Sequence, residues 1–386
     1  MDLIVIGGGV VGLSIAWEGA RRGLKVRVLE SGELGRAASW AGAGLLPPPP
    51  GPGAIHPLDA LGRRAAELHP SWARELTAAT GIDTGFRRCG GLYLADLPGE
   101  AASLAAIERT WLDEGWRIEP LSPDAVRRRH PEIAAAAGGA DIRRALFAPE
   151  ESQLRNPRHL KALAEACRRA GVELHERAPV ERLEADDVQA TAIVDGERQR
   201  AARICVAAGA WSKRLAEPLG LKVEVMPIRG QMLLYRFPEP PLRTIVNVGP
   251  RYLVPRDDGH LLVGSTEEEA GFDASTTAEG LAGLERFARR WLARLDDRPP
   301  IASWAGLRPG SVDGQPYVGP APGLDRIWLA TGHFRSGLTL SPATAELVID
   351  LMTGTAPQVD PGPFLPRRGW TPIGPATSLD GRSAIA

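Results

Sequence analysis

The sequence predicts an α/β chain, α+β overall: a Rossmann-like dinucleotide-binding domain assembled from discontinuous segments, joined to a second domain built on an antiparallel sheet. Three observations predict it. The first thirty residues, MDLIVIGGGVVGLSIAWEGARRGLKVRVLE, read as strand, glycine turn, helix, strand and acid. Helical and parallel-type strand patterns return far downstream, from Asn156 to Ala208 and again from Ile327 to Thr353. Between them, Val223 to Val263 changes to extended runs separated by short turns. Helices alternating with strands imply a parallel sheet, and the intervening runs imply an antiparallel one.

In the N-terminal unit, Leu3 to Ile6 is a short apolar run rich in β-branched residues, and Gly7, Gly9 and Gly12 follow in G-x-G-x-x-G spacing. An amphipathic stretch then runs to Gly23, and Val26 to Leu29 ends on Glu30, near the distance at which a βαβ dinucleotide site places its ribose-binding acid. Gly7 permits the sharp turn, Gly9 lets backbone approach a pyrophosphate, and Gly12 lets helix pack closely on strand. The first helical N–H groups, at Val10 and Val11, have no intrahelical partner and point at the ligand. Glu30, followed by Ser31, suits an unphosphorylated ribose. A glycine-rich turn without a ligand is the plain alternative; strand, helix, second strand and acid in register weigh against it.

At 386 residues the chain is long enough for two domains, and 44% hydrophobic with 24% charged residues is ordinary globular composition. A net charge of −1 gives no electrostatic case for nucleic acid or an anionic membrane. Only four of the 46 basic residues are lysines (Lys25, Lys161, Lys213, Lys222), a bias that reads as genome composition. Cys89, Cys167 and Cys205 are far apart and lack C-x-x-C spacing, so neither a disulfide framework nor a metal site is indicated. The apolar N-terminus lacks a basic n-region and is needed as a core strand, and no stretch has the length of an integral membrane segment. A cytoplasmic location is expected.

Along the chain, Ser31 to Leu46 contains Arg36, Ala37, Ser39 and the small-residue run AGAGLL, with Ala43, Gly44 and Leu45. Backbone bare of side chains can lie against a flat ring. Pro47 to Pro52 follows as a stiff surface crossing. Leu58 to Thr80 is helical by period, and Phe86 to Ala95 reads as a strand. Glu100 to Glu114 and Pro123 to His130 read as helices, the second capped by Ser122. The alanine run after Ile133 is a helix end or loop. Asn156 to Ala170 has a clear helical period; Val172 to His175, Pro179 to Leu183 and Ile204 to Ala208 read as strands of the N-terminal sheet.

VEVMPI, QMLLYRF, TIVNV, RYLVPR and HLLVG, between Val223 and Gly264, form the antiparallel part. Thr277 to Leu295 is helical, with Phe287, Trp291 and Leu295 on one face, and Glu267 to Glu269 reads as a solvated loop. Ile301 to Pro309 (IASWAGLRP) is extended, Asp313-Gly314 turns, and Ile327 to Ala330 is a strand leading through Gly332 and Gly337 into a helix ending near Thr353. A second helix N-terminus thereby becomes available to a cofactor.

The ordered set of G-x-G-x-x-G, Glu30, VAAGAW (206–211), DGQPYVGP (313–320) and ATGHFRSGLTLSP (330–342) resembles the D-amino acid oxidase superfamily of FAD enzymes, closest to its glycine oxidase branch. The resemblance covers Leu3 to about Arg367. It implies a discontinuous FAD domain of residues 1–84, 150–220 and 320–367 and a substrate domain of 85–149 and 221–319; the Gly/Pro/Ser-containing tail from 368 to 386 has no periodicity and reads as poorly ordered. It also implies that the segment Gly332, His333, Phe334, Arg335, Ser336, Gly337, Leu338 and Thr339 contacts flavin. Val180 would meet the adenine side, and Ala207, Gly209 and Trp211 the pyrophosphate side. Without a second glycine fingerprint or a redox cysteine pair, non-covalent FAD is favoured over a nicotinamide cofactor. No cysteine follows Cys205 to anchor a covalent flavin, and no lysine follows Lys222 to activate oxygen.

By the same resemblance Arg308 grips a substrate carboxylate, Tyr252 adds a hydrogen bond to it, and Arg335 touches either substrate or the flavin edge. Guanidinium geometry matches a carboxylate with two parallel donors, which fixes the α-carbon for hydride transfer. A surface ion pair for Arg308 and a half-buried strand tyrosine for Tyr252 are the alternatives. His333 tempts as a general base, but turn positions beside a cofactor usually offer backbone. The expected reaction is oxidation of glycine or another small amino acid to an imine, with O2 or a separate acceptor taking the electrons, and with thiamine biosynthesis as the pathway glycine oxidases imply. A D-amino acid or sarcosine/proline-type dehydrogenase, or a non-catalytic FAD-binding subunit, is the alternative. A homo-oligomer is expected. Leu45, where close relatives of glycine oxidase often carry methionine, and the long proline tract leave pocket width open.

Overall fold

A computed structural model describes residues 1–134 and 141–367. Its centre is a six-stranded sheet in the order Tyr317–Ala321, Leu324–Thr331, Arg203–Val206, Leu3–Ile6, Val26–Leu29, Glu173–His175. All strands run parallel except the edge strand Tyr317–Ala321. Four segments that are not contiguous in sequence therefore build one sheet, since parallel neighbours need crossover connections.

Both faces are covered, which is why Leu3–Ile6 is apolar throughout rather than alternating. On one face lie the helices Val10–Arg21, Pro57–Thr80, Asn156–Arg169 and Gly337–Thr353, whose Leu13, Trp72, Leu163 and Ile349 are buried with Val5 and Val28. Trp17 meets Trp72 edge to face at 4.7 Å. The other face packs Ile4, Ile6, Ile204 and Leu329 against a small antiparallel sheet of Val180–Ala185, Ala190–Val194 and Glu197–Ala201.

The second large sheet has eight strands, in the order Ala302–Ser311, Val225–Arg236, His260–Gly264, Arg251–Pro255, Ile245–Val248, Gly91–Ala95, Arg144–Ala148, Glu119–Leu121. It is antiparallel except where Ile245–Val248 runs parallel to Gly91–Ala95. Strand alternation separates its faces. Val246, Val248, Leu253 and Leu233 point to a core closed by the helix Ala278–Trp291, where Phe287, Trp291 and Leu295 are all buried. The register Tyr93↔Asn247↔Tyr252↔Gly264↔Met232↔Trp304 runs across the opposite face, toward the first sheet.

The α/β expectation holds, with corrections at four elements. Pro179 to Leu183 does not join the parallel sheet: Val180–Ala185 pairs antiparallel with Ala190–Val194, which in turn pairs with the charged strand Glu197–Ala201. Phe86 to Ala95 is two strands, because Gly90 at φ +73° turns the chain between Arg87–Arg88 and Gly91–Ala95, which belong to different sheets. Conversely VEVMPI and QMLLYRF form one strand, Val225–Arg236; Pro227 interrupts nothing because it faces Pro309, outside the stretch paired with His260–Gly264. Glu267 to Glu269 is not merely solvated, as shown below. The expectations for the alanine run at 135–140 and for the tail 368–386 lie outside the described residues. The proline tract is only partly a surface crossing: Pro47 and Pro52 are exposed, Pro48 and Gly51 are buried, and an Arg63 donor holds the Gly51 carbonyl at 2.8 Å.

Candidate active site

A cavity of about 1020 Å³ lies between the carboxyl ends of the parallel strands and the front face of the eight-stranded sheet. Pockets for a single small molecule run to roughly 300–1,000 Å³. This one has room for more than a small amino acid, and ligands bind at that edge of open α/β sheets.

One end is a nucleotide cradle. Gly7 has φ +107°, and a Cβ there would lie 2.5 Å from the Ala207 carbonyl oxygen. Gly9 caps the helix without a side chain; the Val10 N–H donates to Ser39 Oγ at 2.9 Å. Gly7, Gly9, Val10 and Val11 all line the cavity. Gly12 stands behind it, close enough to the strand that a Cβ would fall 1.9 Å from Gly7 O. The Glu30 carboxylate accepts from Gly8 N at 2.7 Å and Gly32 N at 2.8 Å, so it is fixed at the strand end beside Ser31. Val180, Ala207, Gly209 and Trp211 complete this half of the wall.

The middle is backbone. Arg36, Ala37, Ser39, Ala43, Gly44 and Leu45 all face the cavity. Gly44, at φ +73°, lies so close to the neighbouring chain that a Cβ would sit 2.0 Å from Leu154 O. Asn156 Nδ2 donates to Ser39 O at 2.7 Å, and its Oδ1 is buried without a protein partner. Arg256, buried, donates to Ala43 O at 2.6 Å and Leu154 O at 2.9 Å, pinning the loop; burial, with the Arg155 and Arg87 charges nearby, lowers its guanidinium to about 10. Opposite, His333, Phe334, Arg335, Ser336, Gly337, Leu338 and Thr339 form the wall where the helix Gly337–Thr353 begins. Gly332 is not on it: at φ +79° it faces Ser311, Tyr317 and Val225. The His333 ring is buried, 3.1 Å from Thr344 Oγ1, and burial lowers it to about 4.

The far end carries charge. Arg308 leans over Gly230, where a Cβ would lie 2.2 Å from its guanidinium nitrogens. It donates to Ser265 Oγ at 2.6 Å and Thr266 O at 3.2 Å, and no carboxylate among the described residues pairs with it. Tyr252 stands on the same wall, its hydroxyl 3.5 Å from Met232 Sδ. Arg335 differs, since it forms an ion pair with Glu267. Glu268 likewise pairs with buried Arg229, which also holds Asp273 at 2.7 Å. That corrects the solvated-loop expectation for Glu268, which closes the loop over a buried arginine whose charge demands a partner; Glu267 pairs with the exposed Arg335, and Glu269 is exposed.

The structure thus brings Arg308, Tyr252, Arg335 and the predicted cofactor residues other than Gly12 and Gly332 onto one cavity. Reading the sequence missed Asn156, Asn247, Gly230, Met232 and Ser265, which also line it. A glycine inside the strand QMLLYRF extends was a usable signal for Gly230; the others depend on register. The glycine cradle, the anchored Glu30 and a bare backbone trough ending at an unpaired guanidinium fit FAD with a small anionic molecule beyond it.

His69, His159 and His333 are all buried and held neutral, at about 4, 3 and 4 respectively. Their folded values lie below 6.5, so between about pH 6.5 and 4 the unfolded chain binds protons that the folded chain refuses, and stability falls as pH falls. Thermal melts are expected to show this acid-side loss, on the order of 2–3 kcal/mol for each ring. His333→Gln should remove that ring's share of the loss and leave the part due to His69 and His159, with the pH dependence of any cofactor reduction unchanged; a shifted reduction profile would instead make His333 a base.

Three comparisons bear on this geometry. The family described as DAO, FAD dependent oxidoreductase, matches residues 2–351. The chain is 40% identical to a glycine oxidase of Pseudomonas aeruginosa, over 94% of this chain and 98% of that one. It is 32% identical to the "Bifunctional protein ThiO/ThiG" of Synechocystis over 91% of this chain, which there amounts to 51% of the relative. The crystal structure of glycine oxidase from Geobacillus kaustophilus superposes with a TM-score of 0.90 at 32% identity, covering 96% and 99% of the two chains.

Proposed function

The chain belongs to the DAO family of FAD dependent oxidoreductases, and from that premise we propose that it oxidises glycine, or another small amino acid, to the imine with O2 as acceptor and hydrogen peroxide as product. The observation that carries this reading is Arg308, a guanidinium on the wall of the cofactor cavity with no carboxylate partner among the described residues. FAD, when bound, accepts a hydride from the α-carbon and passes the electrons on.

The chain's own residues bind, orient and exclude water. Arg308 offers paired N–H donors to the substrate carboxylate, and Tyr252 adds a hydroxyl. Gly230 makes the room into which the guanidinium folds. Arg335, neutralised by Glu267, edges the pocket rather than competing for the carboxylate. Because burial penalises a charged His333, the ring is a poor proton acceptor, and in this reading the substrate amine loses its proton to solvent before reaction. In this reading residues 1–84, 150–220 and 320–367 hold FAD, 85–149 and 221–319 hold substrate, and the imine feeds thiamine biosynthesis. A homo-oligomer in the cytoplasm belongs to the same proposal; among the described residues no helix is long and apolar enough to cross a membrane.

The test is anaerobic. Purified holoenzyme is mixed with glycine, sarcosine, D-alanine or D-proline, flavin absorbance is followed, and air is then admitted. Bleaching by glycine followed by fast recovery with peroxide is the expected result. Bleaching that air does not reverse would make the protein a dehydrogenase, and no bleaching by any amino acid would favour a binding role.

A further inference from the structure

We propose that Asn247 orients the substrate's amino group through its carboxamide oxygen, and that Glu151 is a positioning residue that holds the carboxamide in that sense from behind. The inference rests on the reading of the cavity as an amino acid site.

The backbone places Asn247 there. Val246 and Val248 are buried in the rear core of the eight-stranded sheet, at 0% and 5% exposure, so the residue between them must face forward. In register it stands opposite Tyr252 on one side and Tyr93 on the other. Neighbouring strands lie about 4.8 Å apart. Asn247 is therefore one strand away from the tyrosine proposed to hold the carboxylate, and it lines the same cavity.

What stands behind it sets its sense. Asn247 Nδ2 lies 3.2 Å from both oxygens of Glu151. Glu151 is 2% exposed, and Gly91 leaves the space it fills, since a Cβ there would sit 1.7 Å from Oε2. The Tyr93 hydroxyl also bonds to it. A carboxylate only accepts, so it selects the NH2 end of the amide and turns Oδ1 away. That oxygen has no hydrogen-bond partner among the described residues. It is thus an acceptor on the wall of the cavity, one strand from Tyr252 in register and four from Arg308, the two donors of the proposed carboxylate grip.

The chemistry of the occupant follows. An amino acid whose carboxylate meets those donors has one remaining donor group, the amine. An N–H directed to Asn247 leaves the nitrogen lone pair free and fixes the α-carbon between two anchors, where a carboxylate grip alone would let it swing. Burial pushes the Glu151 carboxyl up to about 7, while its donors pull it back. At about pH 8.5 the carboxylate is the main form.

The experiment separates the two ends of the ligand. FAD-loaded wild type, Asn247→Leu and Glu151→Gln are titrated anaerobically at about pH 8.5 with acetate, which has the carboxylate alone, and with glycine. Acetate is read by its perturbation of the flavin spectrum, glycine by bleaching. Asn247→Leu should weaken glycine by about tenfold or more and leave acetate within about twofold, as for one hydrogen bond to a charged or polar group. Glu151→Gln, which frees the amide to turn, should move glycine the same way by roughly threefold or more. It carries the test by itself if Asn247→Leu does not fold. Equal losses for both ligands would make these residues structural, and no loss for glycine would remove the amine contact; either overturns the proposal. A wild type that binds acetate but is not bleached by glycine would instead sink the functional reading itself.

Discussion

Arg308→Ala is expected to lower kcat/KM for glycine by about 10²–10³-fold while FAD content and melting temperature stay near wild type. The magnitude is the lower part of what removing two hydrogen bonds to a charged group can cost, roughly 1.5–3 kcal/mol each or about 10²–10⁴-fold together, because Tyr252 still holds the carboxylate. Because Arg308 has no carboxylate partner among the described residues, its removal orphans no acid there; buried Ser265 Oγ and the Thr266 carbonyl each lose one donor beside the open cavity. Stability should therefore change little. Arg308→Lys should recover only part of the loss, since an ammonium is a point charge without the planar pair of donors. Gly230→Ala tests the same grip from below: its Cβ would occupy the guanidinium's place at 2.2 Å, so it should raise KM without touching the substrate. Stopped-flow flavin reduction measures all three. If Arg308→Ala reduced its flavin with glycine at an unchanged rate, the carboxylate grip would be wrong.

Which parts of this site were legible depends on whether the signal was local. The glycine turn, Glu30 and the small-residue loop were readable because each requirement, a turn, a close approach or a strand-end acid, is met within a few residues. The strand LIVI and the helix after it are likewise local. Asn247 was not readable: in TIVNV it is one polar residue in an apolar run, and its meaning comes from Tyr93 and Tyr252 on neighbouring strands and from Glu151 behind. The acids Glu267 and Glu268 looked solvated because Arg335 and Arg229 are distant in sequence. Val180–Ala185 was assigned to the wrong sheet for a related reason, since a six-residue run with three charged side chains carries too little hydrophobic period to choose between neighbours.

Gly7→Ala should yield a colourless, less stable protein, and two companion variants show which physical cause is at work. At φ +107° an L side chain is strained, by roughly 1–3 kcal/mol. Its Cβ would also lie 2.5 Å from Ala207 O and 2.8 Å from Ala207 C, backbone atoms at a strand end that cannot swing aside. Relief requires the strands to part, at the expense of the Gly7 N to Leu29 O and Ala207 N to Ile6 O hydrogen bonds, both 2.8 Å. Gly23→Ala carries the strain alone, since its φ is +85° and nothing lies within 4 Å. It should melt slightly lower and keep its flavin. Gly9→Ala carries neither, having extended backbone and meeting only Ser39 Oγ at 3.1 Å; its methyl would project where backbone must approach the diphosphate. That variant should fold with an unchanged apoprotein melting temperature and lose FAD affinity. Flavin content on purification and apoprotein melts distinguish the three, and a yellow Gly9→Ala with wild-type affinity would show that the diphosphate does not lie against this turn.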